Sequence, residues 1–151
     1  MIELYDRYGQ ESRDLHESLV ATGLSQLGVV IDADGFLPDG LISPFTYYLG
    51  YEEGKPLYFN QVPVPAFWEI SGNNQSARIE DRTQERAVIH YADCLQARLV
   101  KQVDWKDLEG GVRQVDHYNR FGACFATTTY SADSEPIMTV YQDVNGQEVL
   151  L

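Results

Sequence analysis

The chain is poor in cysteine, methionine and basic side chains, and each shortage excludes something. Two cysteines in 151 residues, Cys94 and Cys124, cannot build a disulfide framework. Both stand beside apolar residues and read as buried free thiols. Eleven Lys and Arg against 23 Asp and Glu leave a formal charge of −12, which argues against nucleic acid, whose recognition needs a basic footprint. The same balance disfavours direct docking on an anionic membrane surface. No apolar run approaches the ~20 residues of a membrane-spanning helix. The start, Met1-Ile2-Glu3-Leu4-Tyr5-Asp6, has neither the basic nor the apolar region of a signal peptide. A cytosolic protein is the expectation.

Recognisable catalytic motifs are also missing. There is no Gly-x-Ser-x-Gly, no Walker loop, no Gly-x-Gly-x-x-Gly and no Cys/His spacing suited to zinc. Asp32-Ala33-Asp34-Gly35 opens like a calcium loop, but Phe36-Leu37-Pro38 stands where a ligand should come, and no closing glutamate follows. It reads as a turn. Neither a metal nor a cofactor is expected.

What the chain does have is β-forming sequence. Ten Tyr, six Phe and two Trp outnumber two Met, a balance that favours strands over a helical bundle. Ala87–Tyr91, Ala97–Trp105, Val112–Tyr118 and Ala123–Tyr130 read as four strands. Lys106–Gly111 and Asn119–Gly122 join the last three, and strands so closely linked pair antiparallel as a meander. Their faces are mixed. Leu99, Val103 and Trp105 share a side with Lys101, and Val112 and Tyr118 with Gln114 and Asp116. A sheet on a thick core would alternate cleanly, so these strands read as a thin sheet that another surface must cover.

The first third differs. Ile2–Tyr5, a helix over Gln10–Thr22 with Leu15, Leu19 and Val20 as its apolar stripe, and Val29–Ile31 have the spacing of a parallel βαβ unit. Gly23 sits where a helix ends. The composition changes near Ser43-Pro44, dividing the chain into 1–43, a βαβ-like piece, and 44–151, an extended sheet. The fold class is α+β, mainly β. Phe45–Gly50, Pro56–Val62, Phe67–Ser71 and Ser76–Glu80 read as further strands, and Asp81–Arg86 as a charged loop. Asn145-Gly146 marks a last hairpin between Ile137–Gln142 and Gln147–Leu151.

Two kinds of residue are candidates for function. His16, His90 and His117 are the histidines; His90 and His117 have Asp93 and Asp116 close in sequence, so a small hydrolase or sugar-binding site using a His–Asp pair is one reading. Aromatics are the other. A thin sheet cannot bury Tyr47, Tyr58, Phe59, Trp68, Tyr91, Trp105 and Tyr118 all together, and aromatics dominate contact energetics. These seven are the candidate partner-interface residues.

The ordered motifs carry a resemblance. Gln10-Glu11-Ser12 with Asp14-Leu15-His16, Asp34-Gly35-Phe36-Leu37-Pro38, Pro56-Leu57-Tyr58-Phe59-Asn60-Gln61, Val88-Ile89-His90-Tyr91, Val103-Asp104-Trp105, Asp116-His117-Tyr118-Asn119 and Gly146-Gln147-Glu148-Val149-Leu150 come in an order and spacing that resembles the N-terminal part of the glycosyltransferase-stabilising family of the accessory Sec system. The resemblance implies a much longer, GT-B-like protein of two Rossmann-like halves, with an extended β-sheet domain inserted in the first. It implies a non-catalytic subunit that pairs its sheet with that of a catalytic O-GlcNAc transferase and helps present a serine-rich repeat adhesin. It also implies a cytoplasmic chaperone, peripheral at the inner face of the membrane. Without that partner, free sheet edges would be open to homodimer formation.

Overall fold

The computed structural model describes residues 1–24, 27–92 and 97–149. Two sheets divide the chain. The first is small and parallel: β1 (Ile2–Tyr5), β2 (Leu27–Val30) and β3 (Leu41–Ile42) lie in that order, with Ile2 opposite Leu27 and Val29 opposite Ile42. Helix α1 (Gln10–Ala21) crosses over between the first two strands. It ends as the sequence suggests. Gly23 takes φ +72°, its N–H donates to the Val20 carbonyl, and the Leu24 N–H reaches back to Leu19, the bonding of a Schellman motif.

The helix face is a correction. Leu15 and Val20 are exposed, and the side chain that meets the sheet is His16, 6% exposed. Its Nδ1 lies 3.0 Å from Glu3 Oε2, and the Tyr5 hydroxyl donates to the same oxygen. A polar pairing rather than the apolar stripe sets the rotation of α1. Burial, with Glu3 adjacent, raises the Tyr5 hydroxyl to about 12. On the opposite face of this sheet Ile2 and Leu4 are 73% and 69% exposed.

The second sheet is an eight-stranded antiparallel meander: β4 (Glu69–Gly72), β5 (Ser76–Asp81), β6 (Gln84–Tyr91), β7 (Val100–Lys106), β8 (Val112–Tyr118), β9 (Cys124–Tyr130), β10 (Pro136–Gln142) and β11 (Glu148–Val149), in sequence order from edge to edge. At ~4.8 Å per strand the edges lie roughly 34 Å apart. Four of its turns use one device, a side-chain amide or carboxylate that accepts backbone N–H groups across the bend. Asn73 Oδ1 takes Gln75 and Ser76; Asp107 Oδ1 takes Glu109 and Gly111; Asn119 Oδ1 takes Phe121 and Ala123; Asp143 Oδ1 takes Asn145 and Gln147. Asp81–Arg86 is not a loop. Its charged ends belong to β5 and β6, and the hairpin needs only Arg82 and Thr83, with Arg82 at φ +58°.

The buried side of the sheet changes along its width. In register, Ile89, Val103, Asp116, Thr127 and Val140 share one face, and Val88, Asp104, Val115, Thr128 and Thr139 the other. The first face is apolar over β4–β7, where Ala77, Ile79, Ala87, Ile89 and Val103 are buried under Leu57, Phe59, Val62, Val64 and Trp68. The opposite face is apolar over β8–β11, where Phe125 and Ala126 pack with Leu49, Tyr51, Ala33, Tyr141 and Val149. Two straps, residues 57–68 and 33–51, therefore hold one layer from opposite sides.

The straps overturn two predicted strands. Phe45–Gly50 is not extended. Pro44 sits at the start of a single helical turn, α2 (Pro44–Tyr47), closed by the Tyr47 N–H on the Ser43 carbonyl at 2.8 Å. In Pro56–Val62 Tyr58 makes a single isolated bridge, to Leu99 just before β7, and Phe59–Gln61 then coils into a 3₁₀ turn. Both segments are rich in β-forming residues because they lie flat on a sheet, not because they extend it.

The link between the straps crosses the β8–β9 turn, and a glycine on each side makes room. Gly54 (φ +135°) and Gly122 (φ +83°) leave no room for a side chain: a Cβ on Gly54 would stand 2.3 Å from the Phe121 carbonyl oxygen, and one on Gly122 2.3 Å from that of Lys55. Gly122→Ala is expected to cost at least about 2 kcal/mol, from the left-handed backbone and the backbone clash together. Urea denaturation checks this, with Gly110→Ala, at a similar φ but in open space, losing less.

Candidate partner interface

The seven aromatics do not form one patch. Tyr47 lies on α2, 63% exposed, edge-to-face with Tyr48. Tyr58, Phe59 and Tyr91 come together at the end of β7. Phe59 packs against Tyr58 at 4.8 Å and Tyr91 at 6.3 Å, with the Arg98 guanidinium above it and held by Asn74 Oδ1. Trp68 is half-buried under Arg86, 4.8 Å from its ring. Trp105 is half-buried, and its indole N–H donates to Asp116 Oδ2 at 2.7 Å. Tyr118 belongs to the core, 7% exposed, and burial raises its hydroxyl far above the ordinary phenol range. It supports the surface rather than forming it. Phe67, expected to open a strand and not among the seven, instead stands before β4 in a left-handed turn, 97% exposed at φ +71°; Arg98, which the sequence did not single out, turns the chain into β7 at φ +54°.

The structure does not pair His117 with Asp116. His117 and Asp116 are successive strand residues and point to opposite faces. Asp116 is occupied by Trp105, Gln114 and Thr127. His117 Nε2 faces Thr128 Oγ1 at 3.3 Å, beside Phe125. It borders a cleft of about 160 Å³ lined by Asp32, Asp34, Lys101 and Gln102. Lys101 Nζ already pairs with Asp34 there, at 3.3 Å. His90 pairs with Asp104 at 2.8 Å on an open sheet face; Asp93 and Cys94 lie outside the described residues. Cys124 is a half-buried free thiol, pushed up by burial. Among the described residues no three His, Cys, Asp or Glu side chains are placed to hold a metal ion.

A larger cleft, about 340 Å³, opens between strap 33–51 and the β8–β9 turn, lined by Leu37, Asp39, Tyr47, Tyr51, Arg120 and Phe121 among others. Arg120 spans it, donating to the Leu37 carbonyl and to Asp39 Oδ1. These bonds tie the parallel sheet to the meander.

An open antiparallel meander beside a small parallel α/β piece, with aromatics on its surface, defines the class: an α+β, mainly β fold built around a single-layer sheet. The comparisons give its family. The family model described as the GtfB middle domain matches residues 68–151, and that of the GtfB N-terminal domain matches residues 2–48; the chain belongs to the GtfB family. It is 90% identical, over its whole length, to the "UDP-N-acetylglucosamine--peptide N-acetylglucosaminyltransferase stabilizing protein GtfB" of Streptococcus pneumoniae serotype 4, covering 34% of that protein. It is 55% identical to the Streptococcus gordonii protein of the same description, over 98% of this chain and 33% of that one. A solved structure described as a GtfA/B complex bound to UDP and GlcNAc matches with a TM-score of 0.91 at 55% identity, over 98% of this chain and 34% of the matched chain. The chain thus spans about a third of the length of these relatives.

Burial holds His117 below the ordinary imidazole range, against the pull of Asp104, Asp116 and Asp32. The unfolded chain therefore binds a proton that the folded chain resists, and stability falls as pH drops below ~6.5, levelling once the folded histidine also protonates. His117→Asn is expected to flatten that part of the stability curve, read as melting temperature between pH 7 and pH 5.

Proposed function

We propose that this chain is part of a non-catalytic subunit that binds and stabilises a peptide GlcNAc transferase. The observation that carries the reading is the meander itself. It is one layer thick, each face is covered over only part of its width, and among the described residues its edge strands β4 and β11 each pair with one neighbour. Such a sheet is suited to continuing into a partner. Its relatives from Streptococcus pneumoniae and Streptococcus gordonii are named as stabilising proteins for such a transferase, and the exposed Ile2 and Leu4 suit a parallel sheet that further chain covers, as parallel sheets are on both faces. On this reading residues 1–43 start a Rossmann-like half of a GT-B-like protein, and 44–151 form the interaction unit. Tyr47, Tyr58, Phe59, Trp68, Tyr91 and Trp105 contribute to its contact surfaces.

The finer parts of the proposal follow from the same family. The subunit helps present a Ser/Thr-rich adhesin for O-GlcNAc transfer, as a chaperone in the cytoplasm at the inner face of the membrane. No described helix is long and apolar enough to cross a membrane. When the transferase is absent, the sheet edges are free to pair a second copy. Against the His–Asp hydrolase reading, His117 and Asp116 diverge, and the pair that does form, His90 with Asp104, lies on an open sheet face.

Mixing the protein with its cognate transferase is expected to give a hetero-complex by size-exclusion chromatography with light scattering. Two separate masses, with both proteins folded by circular dichroism, would overturn the proposal.

A further inference from the structure

Phe67 combines two unfavourable features in one residue. The Trp68 N–H donates to the Pro65 carbonyl at 3.3 Å, so Pro65–Trp68 is a tight turn with Phe67 at its third position, φ +71°. A turn of that shape favours glycine or asparagine there, and a bulky side chain is a rare occupant. The ring gains nothing within the chain to offset this, because it is 97% exposed. A phenylalanine held in a left-handed conformation and presented wholly to water is poorly explained by folding alone.

The surroundings hold it still. Pro63 and Pro65 stiffen the approach. Trp68 fixes the exit, packed against the core and covered by Arg86. Phe67 is thus a pre-oriented aromatic on a rigid mount, which limits the entropy lost when it is captured. Directly after the turn comes β4, one edge of the eight-stranded sheet, with no strand on its outer side among the described residues. The bonds from strap 33–51 reach the sheet at β7, at the β8–β9 turn and at the end of β10. The β4 edge lies away from them.

We infer that Phe67 is an aromatic anchor that inserts into an apolar pocket of the transferase subunit, beside the β4 edge. This rests on the reading of the chain as a transferase-binding subunit. A strand of the partner laid on β4 would have Phe67 at its end, and an exposed aromatic next to a backbone ladder supplies the side-chain specificity that the ladder lacks.

The substitution Phe67→Gly separates anchoring from folding, since glycine suits the observed φ and the ring makes no internal packing. Phe67→Asn, also tolerant of that backbone, is the second variant. Both are made in the full reading frame, and affinity for the purified transferase subunit is measured by calorimetry, beside melting temperature and self-association. The expected result is an unchanged or raised melting temperature with affinity for the transferase weakened about thirtyfold in both variants. Wild type that binds and variants that bind equally well would overturn the anchor alone. Wild type that fails to bind would overturn the transferase reading, and the anchor with it. Variants that lose self-association while keeping transferase affinity would assign Phe67 to a second copy and overturn this occupant.

Discussion

The fold depends on burying two apolar patches that lie on opposite faces of one sheet. No single layer placed on one side could cover both patches, and two straps do so instead. Residues 57–68 close the face over β4–β7, and residues 33–51 close the other over β8–β11. The change of side falls between β7 and β8, where Val103 stands in register with Asp116 and Asp104 with Val115. Apolar burial is the dominant favourable term in folding, and in the meander it is divided between clusters on the two faces of one sheet.

That division explains which parts could be read from the sequence. Four hairpins were legible because local chemistry closes them: Asn73, Asp107, Asn119 and Asp143 announce their turns, and the runs between them have strand composition; the β5–β6 hairpin was not, because its charged residues read as a loop. The βαβ start was legible because its spacing is local too. The straps were not. Phe45–Gly50 and Pro56–Val62 have the composition of strands because their aromatics pack on a sheet, and composition does not tell a segment lying on a sheet from one lying in it. The rotation of α1 was also hidden, since the pairing of His16 with Glu3 is fixed by tertiary contact rather than by periodicity. Mixed strand faces were visible, and a thin sheet was the right reading of them; the change of buried side was not visible without register.

For the candidate interface, the sequence supplied the residue types but not their fates. Tyr118 turned inward, Trp68 and Trp105 became half-buried supports, and Tyr47 and Tyr58 stayed at the surface. Phe67 lay between two prolines and a tryptophan, where nothing in the letters distinguishes a ring packed inward from one aimed at water. The histidines looked like partners for nearby carboxylates on paper, and the pleat sent His117 and Asp116 to opposite sides.

The sequential order of the meander also governs how the chain can assemble. Every strand of the large sheet pairs only with its neighbours in sequence, so each ladder closes a short loop, and short closures are the least costly in chain entropy. The sheet can grow outward hairpin by hairpin during synthesis. The straps are different: residues 33–68 leave the ribosome before the strands they cover, and they must wait uncovered until β7–β10 are in place. The nascent chain therefore has its stickiest segment exposed first and buried last, which makes the interval before the final hairpin the period of greatest exposure to aggregation.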